Sequence, residues 1–251
     1  QGVTKRLGID HQSLKKVNSK IITCSISGFG DTEVNRPAYD NLIQGYAGAM
    51  SITGTDKENP VKSGIPIADL GAGLYAVIGI LSAIQSREKN DSGEHVDISM
   101  LDTQVSLLTY MATMHFLSGE NPEPIGNQHM NHVPFNSYRT LDGFIQIGVV
   151  AEDFWPSLIE ALDLRQLDTE ENKVRIGRLK NRENIDEALQ EVFITNTTEH
   201  WLKILQEHRV PCGPINTLSE TFQDADLLKR NMIVEVLQDS GVAVKMPGNP
   251  V

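Results

Sequence analysis

The strongest apolar signal along the chain starts at a carboxylate. Residues 64–69, Gly64-Ile-Pro-Ile-Ala-Asp69, read as an extended segment feeding a buried helix over 70–84, which places Asp69 at the helix start. The helix leaves through a polar stretch, 85–93, whose Arg87 and Lys89 complement its C-terminal end. Upstream, residues 1–20 carry a short helical pattern with Asp10 or Ser13 as cap and Leu14 and Val17 as apolar face. Residues 20–27 are β-branched and apolar in the manner of a strand covered on both faces, with Cys24 buried, and they run into the turn Gly28-Phe-Gly30. Helical spacing of Leu42, Ile43, Tyr46 and Met50 predicts a helix over 39–50. After the long apolar helix come a strand over 94–99 and a helix over 100–117. The latter carries Leu101, Val105, Leu108, Met111 and Met114 on one face, with the methionines as core filler.

Composition shifts at 118–136, where three prolines, two glycines and two histidines mark a linker. Beyond it, 136–140 and 143–150 pattern as two strands joined by the turn Leu141-Asp-Gly143. Helices follow over 152–162, 184–193 and 198–208, the last with a capping box at Thr198. Residues 210–215 read as a rigid turn, 218–222 as a short helix and 232–246 as a hairpin. The helix–strand order makes this an α/β chain: residues 1–117 as part of a Rossmann-like large domain, a linker over 118–136, a smaller α+β domain over 137–235, and 236–251 returning towards the large domain. The opening without earlier strands, and the stop at 247–251 without a closing helix, raise the expectation of a fragment of a longer chain.

At 251 residues the chain can bury a sizeable core without staples. Two cysteines, Cys24 and Cys212, lie far apart without metal-type spacing, which fits a reducing compartment, so a cytoplasmic location is expected with a mitochondrial one left open. A net charge of −11 argues against nucleic acid and anionic membrane surfaces, and the apolar run from 70 to 84 is shorter than the roughly 20 residues of a span. His129 and His132 lack neighbouring metal-ligand types, so no metal is expected.

At a helix start, Asp69 has two readings. As an N-cap, its side chain would accept from the first free backbone N–H groups. As a reactive carboxylate, it would be kept anionic by the helix end, with Gly71 and Gly73 letting a substrate approach the backbone.

Six motifs in order, Ser25-Ile-Ser-Gly-Phe-Gly30, Arg36-Pro-Ala-Tyr-Asp40, Gly64-Ile-Pro-Ile-Ala-Asp69, His95-Val-Asp-Ile-Ser-Met100, Tyr138-Arg-Thr-Leu-Asp-Gly143 and Val210-Pro-Cys-Gly-Pro214, resemble the class III CoA-transferase family. The likeness runs through nearly the whole chain. It implies that Asp69 is the catalytic nucleophile, forming an aspartyl mixed anhydride and then an aspartyl-CoA thioester. Ordinary aspartates are ionised at neutral pH, so the chemistry needs no general base for the nucleophile. The resemblance further implies a CoA site at Tyr39, Arg36 and Met100, and an acid pocket drawing on Gly28, Phe29, Gly30, His129 and His132. It implies acyl-CoA and carboxylic acid substrates, coenzyme A as substrate with no permanently bound cofactor, and an interlocked homodimer.

Two departures shape the choice within the family. Tyr39 and Asp40 stand where the racemase branch has a His-Asp pair. A tyrosine suits α-proton exchange poorly, so transfer is favoured over α-methylacyl-CoA racemisation. Residues 126–133 lack the tetraglycine run of formyl-CoA transferases, which points to dicarboxylate or carnitine-type acids rather than formate with oxalate. An inactive fragment acting only as a binding domain is the remaining alternative.

Overall fold

The structure, a computed structural model, describes residues 2–34 and 36–251, and it divides into two compact units, Gln1–Gly126 and Asn127–Val251. The division falls inside the stretch 118–136, and residues 236–251 group with the second unit.

The first unit opens with two single-turn helices, α1 (Val3–Leu7) and α2 (His11–Lys15). Asp10 caps α2, its carboxylate accepting from the Ser13 amide at 3.1 Å and the Ser13 hydroxyl at 2.7 Å. Val17, expected on an apolar face, is 89% exposed because the helix ends at Lys15. Strand β1 (Thr23–Ser27) follows, then α3 (Asp40–Tyr46), a 3-10 turn at Ala49–Ser51, the long α4 (Ile67–Asn90) and β2 (His95–Ser99). The strands β1 and β2 pair in parallel with Thr23 opposite His95 and Ser27 opposite Ser99. Since side chains alternate along a strand, Thr23, Ser25, Ser27, His95, Asp97 and Ser99 form one polar face, and Cys24, Ile26, Val96 and Ile98 the other. The expected strand covered on both faces is therefore a two-faced one, and Cys24 is exposed, not buried. Helix α4 packs tightly on this face at Val96, where a Cβ on Gly79 would meet the Val96 Cγ1 at 2.6 Å.

Helix α4 runs through the polar exit as far as Asn90 and stops where Asp91 takes a left-handed conformation (φ 53°) and its N–H reaches the Arg87 carbonyl. At 24 residues it is long and apolar enough to cross a membrane by length and composition, unlike the shorter run expected from the sequence. The single helix expected over 100–117 is broken into α5 (Met100–Ser106) and α6 (Tyr110–Ser118). The break is at Thr109, whose backbone takes φ 50°, ψ −123°. The break also cancels the expected apolar face. Buried residues on α5 are Met100, Thr103 and Gln104, none on α6 is buried, and Met114 is exposed. A small core of Phe29, Ile43, Ala68, Ala72 and Met100 ties the Gly28–Gly30 turn, α3, α4 and α5 together.

In the second unit β3 (Phe135–Arg139) and β4 (Phe144–Gly148) form the expected antiparallel hairpin. Its turn is closed by the Thr140 amide on the Gly143 carbonyl at 3.0 Å. Then come α7 (Phe154–Leu162), a 3-10 turn at Arg165–Leu167, α8 (Arg175–Lys180), α9 (Arg182–Phe193) and α10 (Thr198–Glu207). The cap of α10 is Thr197, not Thr198, whose amide and hydroxyl instead bind the Asp142 carboxylate at 2.8 and 3.0 Å. The expected rigid turn at 210–215 contains a strand, β5 (Cys212–Pro214), added antiparallel to β4. The chain closes with α11 (Leu218–Thr221), α12 (Ala225–Lys229) and the hairpin β6 (Ile233–Leu237) and β7 (Ala243–Pro247). A capping box opens α11, Thr217 with Glu220. The core of this unit is larger, with Ile145, Ile147, Trp155, Leu158, Leu189 and Phe193 at its centre.

Candidate active site

The start of α4 is built differently from a self-capped helix. Pro66 occupies the N-cap position and Asp69 is the third helical residue, so the expected N-cap reading of Asp69 does not hold. An acidic residue at this third position ordinarily reaches back to the N-cap N–H. Proline has none. The cap comes instead from α3: Asp40 Oδ1 accepts from the Ala68 amide at 2.9 Å. Gln44, 1% exposed, donates from Nε2 to Asp40 Oδ2 at 2.6 Å and accepts from the Ser63 amide at 2.9 Å. One carboxylate and one amide thus grip the segment just before the helix and the second residue of the helix itself. The Asp69 carboxylate is exposed and has no hydrogen-bond or ion-pair partner among the described residues.

Tyr39 precedes Asp40 at the N-cap of α3 and is 70% exposed. The Asp40–Ala68 bond therefore has Tyr39 and Asp69 as chain neighbours on its two sides. Of the glycines after Asp69, Gly73 has open space where a Cβ would stand. Gly71 does not: a Cβ there would meet Thr103 Cγ2 at 2.9 Å and Leu107 Cδ1 at 3.2 Å, so Gly71 serves helix packing rather than substrate approach.

The Gly28–Gly30 turn is held from below and from the side. The Gly28 carbonyl accepts from the Leu101 amide at 3.0 Å, and Asp97 Oδ2 accepts from the Asp31 amide at 2.7 Å. Gly30 has φ 70°, a region that favours glycine, and a Cβ on Gly28 would overlap Ala38 Cβ at 2.2 Å. Phe29 turns inward to the small core, where Met100 also lies. The Arg36 guanidinium stacks over Phe29 and Tyr46, its central carbon 4.6 and 4.3 Å from the two ring centroids. It has no carboxylate partner among the described residues. Phe29 thus supports the Arg36 guanidinium from the core that it shares with Met100.

His129 and His132 belong to the second unit, with ring centroids 4.7 Å apart. His129 Nδ1 accepts from the Asn131 amide at 3.0 Å, and its carbonyl accepts from Arg182 Nη2 at 2.7 Å. Burial, His132 and Arg182 in that order push the His129 ring below the ordinary histidine range. His132 Nδ1 is buried with no hydrogen-bond partner among the described residues. The segment is anchored by Asp186, which accepts from Gln128 and Asn136 and, at 2.5 Å, from the Tyr138 hydroxyl. No group of three or more potential metal ligands occurs among the described residues.

Sequence reasoning placed Asp40 beside Tyr39 but missed its role, and it missed Gln44 altogether. Their spacing of four on one helix was the available signal, and it shows a local pair without showing what that pair holds.

The profile of CoA-transferase family III matches residues 1–251. The chain is 29% identical over 249 residues to the succinate–glutarate CoA-transferase of Agrobacterium fabrum, covering 98% of this chain and 62% of that protein. It is 32% identical over 254 residues to the acetyl-CoA:oxalate CoA-transferase of Acetobacter aceti, covering 100% and 64%. The crystal structure of a CAIB/BAIF family protein from Brucella suis superposes with a TM-score of 0.83 at 33% identity, covering 93% of this chain and 62% of the other. The chain thus spans about three fifths of the length of these relatives. With its profile matched from end to end, the chain belongs to CoA-transferase family III, a family of enzymes.

Proposed function

We propose that the protein transfers coenzyme A between dicarboxylic acids with Asp69 as the nucleophile. The observation that carries this reading is a carboxylate in the first turn of a capped helix, exposed and free of partners among the described residues, with the cap supplied from elsewhere. An Asp69 oxygen attacks the thioester carbonyl of the donor, the C–S bond breaks, and CoA leaves as thiolate with a mixed anhydride on the enzyme. The thiolate then attacks the aspartyl carbonyl and releases the donor carboxylate, leaving an aspartyl-CoA thioester. The acceptor carboxylate attacks that thioester, again expelling thiolate. Thiolate attack on the acceptor's acyl carbon gives the new acyl-CoA and returns the Asp69 carboxylate. Atoms balance with no oxidant, metal or permanently bound cofactor in the sequence of steps.

The exposed Arg36 and Tyr39 suit the CoA side, where a guanidinium with no carboxylate partner among the described residues is available to phosphate. Relatives named for succinate, glutarate and oxalate favour dicarboxylates, so oxalate returns to the candidate acids. His129 and His132 are assigned to the acid side and the working enzyme to an interlocked homodimer in a reducing, cytoplasmic setting.

The test is acyl transfer from succinyl-CoA to glutarate and to oxalate, with hydroxylamine trapping and peptide mass spectrometry. Asp69→Ala is expected to lose transfer by at least about a thousandfold and to lose the trapped adduct, with an unchanged circular dichroism spectrum. Full transfer by Asp69→Ala overturns the assignment. Exchange of the α-hydrogen of a 2-methylacyl-CoA in deuterated water, without CoA movement, replaces transfer by racemisation.

A further inference from the structure

The first turn of α4 presents three backbone N–H groups ahead of the regular helical ladder, on Ile67, Ala68 and Asp69. Ile67 donates to the Ile65 carbonyl at 2.9 Å and Ala68 to Asp40 Oδ1 at 2.9 Å, while Leu70 begins the ladder on the Pro66 carbonyl at 3.0 Å. An aspartate in this turn has a local use for its carboxylate, which is to accept one of those donors. Two features narrow that use here to the residue's own amide. Pro66 has no N–H to offer, and the Ala68 donor is already taken by a carboxylate 28 residues earlier in the chain. Asp40 is itself fixed by the buried Gln44, whose other amide end holds the Ser63 backbone.

We propose that Asp40 and Gln44 are positioning residues: a clamp that caps α4 from outside and so keeps the Asp69 carboxylate free and aimed for attack. The inference rests on the reading of Asp69 as nucleophile. Neither residue needs to touch substrate for this. The clamp acts through the backbone of residues 63–68, and a displacement of about an ångström in a reacting group can cost on the order of a hundredfold in rate.

The polarity of the clamp makes it testable by exchange. In Asp40→Asn one oxygen can still receive Ala68, but the new amide then faces the Gln44 amide, donor against donor. Flipping Gln44 moves the same conflict to Ser63. In the double variant Asp40→Asn/Gln44→Glu the new amide at position 40 donates to one oxygen of the new carboxylate at position 44, and Ser63 donates to the other. All three hydrogen bonds return with the negative charge moved one residue along the chain of contacts.

The experiment measures formation of the hydroxylamine-trappable adduct at Asp69 from succinyl-CoA in a single turnover. Alongside it run KM for succinyl-CoA, the melting temperature, and carbodiimide labelling of Asp69, which needs no substrate. Asp40→Asn is expected to slow adduct formation ten- to a hundredfold with KM changed less than about threefold, and the double variant to recover to within about threefold of the parent. Asp40→Asn reacting at the parent rate overturns the clamp, as does a double variant that melts like the parent but stays slow. Should Asp40→Asn fail to fold, the double variant alone decides by the same criterion. Should the parent form no adduct, the transferase reading fails, and the clamp is then judged on labelling of Asp69 across the same variants, with Asp69→Ala as blank.

Discussion

His129 is held towards its neutral form by its surroundings. Its Nδ1 accepts from the Asn131 amide, so the neutral ring keeps its proton on Nε2, and protonation would put a second donor against that N–H. Burial, His132 and Arg182 all favour the neutral form. The folded chain therefore binds this proton less readily than the unfolded chain. The stability it contributes is present above the ordinary histidine value, about 6.5, and is lost as pH falls from there through the lowered folded value. The His129 ring resonances should titrate below those of an exposed histidine, and the Asn131 amide should exchange faster as the ring charges. A ring titrating at or above the ordinary value would refute this. At the same scale, Asp69 stood out as a candidate because a motif surrounds it. Asp40 was not, because its partner, Ala68, is distant in sequence and its bond is to a backbone amide that no side-chain pattern records.

Among the elements, α4 and the β1–β2 pair show what pattern can and cannot give. Alternation in Thr23-Cys-Ser-Ile-Ser27 and His95-Val-Asp-Ile-Ser99 marks a two-faced sheet, but the apolar Ile21 and Ile22 just before β1 disguised it as a strand buried on both sides. The existence of α4 was plain from its apolar run, while its length was hidden because the last two turns are polar and held by their own helical bonds. The break at Thr109 has no glycine or proline to announce it, and β5 is only three residues long, following one proline and ending in another. Two of the α4 glycines, alike in sequence, differ in surroundings. Gly73→Ala adds a methyl group to open space and should stabilise by up to about 1 kcal/mol through helix propensity. Gly79→Ala drives a methyl group into Val96 at 2.6 Å and should destabilise by roughly 1–3 kcal/mol. Thermal melts of the two variants moving in the same direction would refute this account of the packing.

At the scale of the whole molecule, Leu70, Leu74, Val77, Ile78 and Leu81 make an exposed apolar stripe along α4, larger than scattered surface residues would give. The proposed homodimer gives such a surface a use. Sedimentation velocity at micromolar concentration should find a dimer, and Leu74→Glu with Ile78→Glu should shift it towards monomer; a parent that sediments as a monomer would count against the pairing. The bond from Asp40 to Ala68 has a consequence for how the protein matures. Closing a loop of 28 residues costs roughly 3 kcal/mol of chain entropy. A hydrogen bond to a charged acceptor returns about 1.5–3 kcal/mol, so the bond cannot close the loop with any margin by itself. Packing of Ile43, Ala68, Ala72 and Met100 has to form with it or ahead of it. In a nascent or unfolding chain Asp69 is then an aspartate like any other. The reactivity proposed for Asp69 would then arise only with the fold of the first unit, and adduct formation would report correct folding.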